Sequence, residues 1–207
     1  YPGATSFDGM IIWSARPQRG PLAPLGNYQV KIRVGDVQKT ETFEIKIDPN
    51  LEEITPADLQ LQFDLSIQIR NQTSSANEAV IQIRSLRNQL VHLMKNQELS
   101  ALNTSAQEII EKTRTIEETL YQVKNQSNQD PLNFPIKLNN RLASLRRSVE
   151  NGQARPTDAA YVVFDELKGA LTQLLTQLDT LLSEDMNRLN DALMAKGFKA
   201  IEIKNTP

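Results

Sequence analysis

The sequence predicts an α+β protein, mostly α: a small, incomplete antiparallel β region followed by a long antiparallel helical bundle. Three observations carry that reading. From Thr157 to Met194, apolar residues recur at steps of three and four: Ala160, Phe164, Leu167, Leu171, Leu174, Leu178 and Leu181, then Leu182, Met186, Leu189 and Leu193 after a shift of one residue. Such steps hold one stripe on one side of a helix, which needs partner helices to cover it. Composition also changes along the chain: residues 1–52 hold five of the eight Gly, five of the ten Pro and the only Trp, whereas residues 53–197 are rich in Leu, Gln, Asn and charge. Finally, Tyr28, Val30, Ile32 and Val34 alternate with Gln29, Lys31 and Arg33, the period of a half-buried strand.

The first region, residues 1–52, reads as part of a β-sandwich. Phe7–Trp13 (FDGMIIW) forms a short apolar strand, and Gly20–Gly26 (GPLAPLG) a turn-rich loop. Gly35-Asp36 supplies a turn, and Phe43, Ile45 and Ile47 alternate beyond it, which makes a hairpin over residues 27–48. Three strands cannot close a sandwich, so either the helices cover the exposed face or further strands lie upstream. Trp13, Tyr28 and Phe43 are the expected β core.

The second region, residues 53–207, reads as helices. Thr55-Pro56-Ala57-Asp58 is a helix start, with a capping hydroxyl, Pro at the first helical position and an acid in the first turn. Leu59, Leu61, Phe63, Leu65, Ile67 and Ile69 alternate as a strand would; a helix holds them as two adjacent stripes, 59/63/67 and 61/65/69. The cap and the helical pattern that follows (Ala76, Val80, Ile83, Leu86, Leu90, Leu93) favour the helix. After a connection near Asn96–Ser100 comes Leu102, Ala106, Ile109, Thr113, Ile116, Leu120 and Val123. Pro131 and Pro135 interrupt it, and Ile136, Leu138, Leu142, Leu145 and Val149 mark a shorter helix ended by Asn151-Gly152. Gly197 with Phe198 is the expected cap of the last helix. The first and last helices come to about 40 residues, ~60 Å at 1.5 Å per residue. Three antiparallel rods with a broken middle one, or a four-helix bundle, satisfy these lengths.

Composition excludes several function classes. With 23 Lys+Arg against 25 Asp+Glu, the net charge of -2 gives no electrostatic case for nucleic acid or an anionic membrane. No apolar run approaches the ~20 residues of a membrane span. The chain has no Cys and one His, so thiolate metal sites and Cys nucleophiles are absent, and no metal or cofactor is expected. His92, near a helix C-terminus, reads as structural, its charge favoured by the helix dipole. The carboxylate pairs Glu52-Glu53, Glu117-Glu118 and Glu184-Asp185 are adjacent in sequence, which on a helix turns them about 100° apart, and they read as solvated surface rather than as a glycosidase pair. No catalytic residue is expected, and no nucleotide-binding or nucleophile-elbow motif occurs. Arg141, Arg146 and Arg147, with Arg84 and Arg87, form the only basic grouping and read as partners of acids inside the bundle before they read as a phosphate site. The second face of the first helix, Leu61, Leu65 and Ile69, is the expected contact with the sheet or a second chain.

Tyr1-Pro2, Phe7, Gly9-Met10, Trp13, Gly20-Pro21, Ala23-Pro24, Gly26, Tyr28, Phe43 and Asp48-Pro49 together resemble the end of bacterial sortilin-like β-propeller proteins, which often carry the label of BNR- or YVTN-repeat glycosyl hydrolases. Leu25 is an extra residue in the loop relative to that pattern. TPADLQLQFDL, NEAVIQIRSLRNQL, PLNFPIKLNNRLASL and ARPTDAAYVVFDEL are similar as well. The resemblance implies an Ig-like sandwich end joined to a helical C-terminal segment, in a chain that is a piece of something longer. It implies a secreted or envelope protein, periplasmic or extracellular, with an upstream propeller of the same polypeptide as partner. The function it implies is a non-catalytic module coupling that propeller to a helical stalk for self-association or partner binding. The alternatives are an accessory part of a glycoside hydrolase whose active site lies in the propeller, and an intracellular spacer.

Overall fold

The computed structural model describes residues 1–202; residues 203–207, the end of the expected helical region, lie outside the described residues. Two strands, β1 (Gly26–Val34) and β2 (Val37–Ile45), precede four helices: α1 (Pro56–Leu93), α2 (Asn103–Leu120), α3 (Leu138–Val149) and α4 (Asp158–Ala195). Short 3₁₀ turns at Gln97–Leu102 and Asp130–Leu132 join α1 to α2 and α2 to α3.

The helices form three rods. Asn139 at the start of α3 meets Asn77, and Gln62 reaches Val149 at its end, so α3 runs antiparallel to α1. Glu117 of α2 meets Arg84 and Arg87, and Leu93 shares a cluster with Ala106 and Leu193. Thus α2 and α3 follow one another along the same track, interrupted by the loop that holds Pro131 and Pro135, and α4 returns parallel to α1. One apolar cluster fills the end built from Leu65, Ile69, Leu142, Phe164 and Leu171. A second fills the other end, around Leu90, Ile109, Met186 and Leu193. The stripe expected on α4 is the one it buries: Phe164, Leu167, Leu171, Leu178, Leu181, Met186, Leu189 and Leu193 are inside, and Ala160, Leu174 and Leu182 pack at its margin.

Helix ends follow local chemistry. The Thr55 hydroxyl accepts from the Asp58 amide (3.2 Å), and the Asp58 carboxylate accepts from the Thr55 amide (3.0 Å), a reciprocal cap that starts α1. At the end of α4, Gly197 takes φ +80°, its amide donates to the Met194 carbonyl and the Phe198 amide to Leu193. This left-handed cap satisfies carbonyls the helix leaves free, and Phe198 packs against the adjacent cluster.

Two expectations are corrected. Phe7–Trp13 is not a strand; it is an irregular strap laid across the helices, with Phe7 and Met10 against the bundle core. Its backbone groups are met by helix and loop side chains instead of a neighbouring strand. The Ile11 amide donates to the Tyr121 hydroxyl (3.1 Å), which donates to the Gly9 carbonyl (3.2 Å). The Asn140 side chain accepts from the Trp13 amide (2.6 Å) and donates to the Trp13 carbonyl (3.0 Å). Nor do Trp13, Tyr28 and Phe43 form a β core: Trp13 lies at the helical surface, and Tyr28 and Phe43 stack on each other at 5.7 Å in an open hairpin.

Candidate functional site

The hairpin places an uncovered apolar surface at one end of the molecule. Gly35, at φ +58°, and Asp36 make a two-residue turn, and the antiparallel register pairs Tyr28 with Phe43, Val30 with Glu41, Ile32 with Lys39 and Val34 with Val37. Because directly opposed residues share a face, Tyr28, Val30, Ile32, Val34, Val37 and Phe43 line one side. The other side carries Gln29, Lys31, Arg33, Gln38, Thr40 and Thr42. Ile32, Val34 and Val37 are 60%, 73% and 74% exposed, so the burial that drives strand pairing is missing on the apolar side. A Lys39–Glu41 ion pair (3.0 Å) is the only charge on that face. Among the described residues the sheet has two strands, and both outer edges are unpaired.

The hairpin is attached at its base. The Tyr28 hydroxyl donates to the Pro24 carbonyl (2.7 Å), and a cavity of about 280 Å³ lies between Leu22–Leu25 with Ile45 and the α1 residues Leu59 and Phe63. Beyond the base, the strands project free.

The strap is held to the helices by a polar and aromatic clamp. Glu117, only 2% exposed, receives Arg84 at 2.7 Å and also Arg87. The Arg84 guanidinium lies 4.7 Å from the centre of the Phe7 ring and 5.4 Å from that of Tyr121, and the two rings meet edge to face at 5.0 Å. Nearby, Asn77 donates to the Thr5 carbonyl (2.7 Å) and accepts from Asn139 (2.9 Å). The strap therefore belongs to the helical body, although its composition places it with the hairpin.

The residues singled out from sequence fall as follows. Leu65 and Ile69 are fully buried inside the bundle, and Leu61 is half-buried, so Leu65 and Ile69 are not available to a second chain. The buried line of α1 is 59/62/65/66/69/73, which crosses both expected stripes because Gln62, Ser66 and Thr73 occupy core positions. Gln62 earns its place by donating to the carbonyls of Val149 (2.7 Å) and Gly152 (2.9 Å) at the end of α3. His92 is exposed in the last turn of α1. The acid pairs separate: Glu117 is buried and Glu118 exposed, Asp185 binds Lys112 (2.5 Å) and Arg188 (2.7 Å) while Glu184 faces solvent, and Glu52 and Glu53 are exposed. Of the five arginines, Arg84 and Arg87 serve Glu117, Arg146 lies 3.6 Å from Glu150, and Arg147 donates to the carbonyl and hydroxyl of Ser14. Among the described residues no group of three or more His, Asp or Glu is placed to hold a metal ion, and no helix is long and apolar enough to cross a membrane.

Sequence reasoning missed Asn77, Tyr121, Asn139 and Asn140 as strap holders. A signal exists in the polar pair Asn139-Asn140 at the start of an amphipathic helix, where three-to-four spacing from Leu138 and Leu142 places one Asn toward neighbouring elements.

Comparison with protein-family models, characterised proteins and solved structures yields no match.

Proposed function

We propose that the chain is a non-catalytic structural and interaction module, the C-terminal part of a secreted or envelope β-propeller protein that couples the propeller to a helical stalk. The observation that carries this reading is the uncovered apolar face of the hairpin. An isolated two-stranded hairpin is marginal in water, and three or more strands or a packed layer are needed to stabilise it. The helices do not provide that layer: they close on their own stripes and meet the hairpin only at its base. A β-rich partner surface supplied by the same polypeptide satisfies both the face and the free edges. The resemblance of the strap, loop and hairpin motifs to propeller-protein ends points the same way.

The test is amide hydrogen exchange over Val30–Phe43, in this chain alone and in the polypeptide extended through the sequence encoded immediately before Tyr1. The expected result is protection that rises at least about tenfold in the longer form. Equal exchange in both forms would sink the coupling role.

A further inference from the structure

A cleft of about 590 Å³ opens between the segment Ser14–Arg19 and the C-terminal half of α3, a volume within the ~300–1,000 Å³ of small-molecule sites. Arg16 and Arg19 line one wall; Arg146, Arg147 and Glu150 line the other. Four guanidiniums thus face one carboxylate, in a chain whose overall charge is -2.

Each charge has a different standing. Arg146 is 5% exposed; one terminal nitrogen donates to the Arg16 carbonyl at 3.0 Å, and the other stands 3.6 Å from Glu150, beyond hydrogen-bond reach. That nitrogen and the facing Glu150 oxygen are both buried without a hydrogen-bond partner. Arg147 is spent partly on the Ser14 carbonyl and hydroxyl, and Ser14 is held at φ +56°, the one non-glycine residue with positive φ among those described. A side chain in that region is strained, and such strain persists where surrounding bonds over-determine it. The negative end of the α3 dipole accounts for cations at Arg146 and Arg147. It does not account for Arg16 and Arg19, which come from the opposite wall, are exposed, and have no ion pair among the described residues. Counting Glu150 against Arg146, the charges of Arg16, Arg19 and Arg147 remain without a counter-charge.

We infer that this cleft binds the oxyanion of a phosphate or sulfate ester, gripped by Arg16, Arg19 and Arg147. Planar guanidinium forks match two oxygens of a tetrahedral anion at once, and the ligand supplies the counter-charge the cleft lacks. Arg146, tied to the Arg16 carbonyl, keeps the two walls in register. The site is independent of the coupling role proposed above and stands or falls separately.

The experiment is calorimetric titration of the whole chain at low ionic strength with glucose 6-phosphate and with glucose 6-sulfate, using glucose and sodium chloride as controls. Saturable binding of either ester, weakened at least about tenfold in the double variant Arg16→Gln/Arg19→Gln, is expected; the preferred ester assigns the class. The two arginines are exposed, so the variant should melt with the parent protein, which is checked by circular dichroism. No saturation by about 10 mM ester, equal binding by the double variant, or an equal response to chloride would overturn the site.

Discussion

The helical body and the hairpin treat apolar side chains in opposite ways. In the body, Leu65, Ile69, Leu142 and Leu171 are sealed from water, and even polar Gln62, Thr73 and Asn77 are inside, each with a hydrogen-bond partner. In the hairpin, Val34 and Val37 stand almost free in solvent. Both regions are locally consistent: a reciprocal cap starts α1, and a glycine turn sets the hairpin register. Local consistency therefore sets an element's type, while closure against other elements sets its stability. The body has closure from within, and the hairpin needs it from elsewhere.

The comparison is broken most severely by Leu65→Glu. A charge placed among Ile69, Leu142 and Phe164 has no partner, and the loss should exceed about 4 kcal/mol, enough to unfold the body in a thermal melt. Melting unchanged by this variant would remove Leu65 from the core. Glu117→Ala comes next. It strands two arginines that keep some solvent contact, so the expected cost is about 2–3 kcal/mol, at the low end for a broken buried pair, together with faster exchange of the strap amides Gly9–Ile11. Strap exchange matching that of the parent chain would show that the clamp is not what holds it. Thr157→Ala removes the hydroxyl that accepts from the Ala160 amide at the start of α4 and should cost about 1 kcal/mol in denaturant unfolding. The smallest effect is expected in the hairpin: Ile32→Ser with Val34→Ser should change the stability of the isolated chain by no more than about 0.5 kcal/mol. A larger loss would mean that this face is covered in solution.

Acid titration sharpens the same contrast. Burial raises the Glu150 pKa, with Arg146 opposing in part. The folded state then binds this proton more tightly than the unfolded chain, so the contribution is present below the unfolded glutamate range, near about 4.3, and is lost as pH rises through the folded pKa. Asp58, hydrogen-bonded by Thr55, and Asp130, held by the amides of Gln126 and Ser127, are shifted down; their contribution is present above about 3.9 and lost as pH falls through the folded values. Glu150→Gln should flatten the slope of stability with pH above about 4.3 and leave the acid limb intact. An unaltered slope in urea titrations across that range would place Glu150 in solvent.

The long helices, the break at Pro131–Pro135, the caps at Thr55 and Gly197, the α4 stripe and the hairpin turn at Gly35-Asp36 were legible because each depends on residues a few positions apart. The run 59–69 shows how far that reaches. Its strict alternation imitates a strand, yet the reciprocal Thr55–Asp58 cap and the apolar spacing beyond residue 76 favour the helix, which is what forms. Which of its faces is buried was not legible, because Gln62 and Ser66 enter the core, and Gln62 meets the carbonyls of Val149, the last residue of α3, and Gly152, just past it, 87 and 90 residues away. The strap was misread for the same reason: FDGMIIW has the composition of a strand, but Tyr121 and Asn140, more than 100 residues on, satisfy its backbone. The arginine cleft likewise joins residues 14–19 to residues 143–151. Sequence by itself determined the helices, the hairpin and their order, since propensity, capping and periodicity act within a few turns of chain. Tertiary structure alone decided which polar groups go inside, where the strap lies and which apolar face is left open. Those outcomes depend on which distant hydrogen-bond partners and apolar surfaces the fold brings within reach.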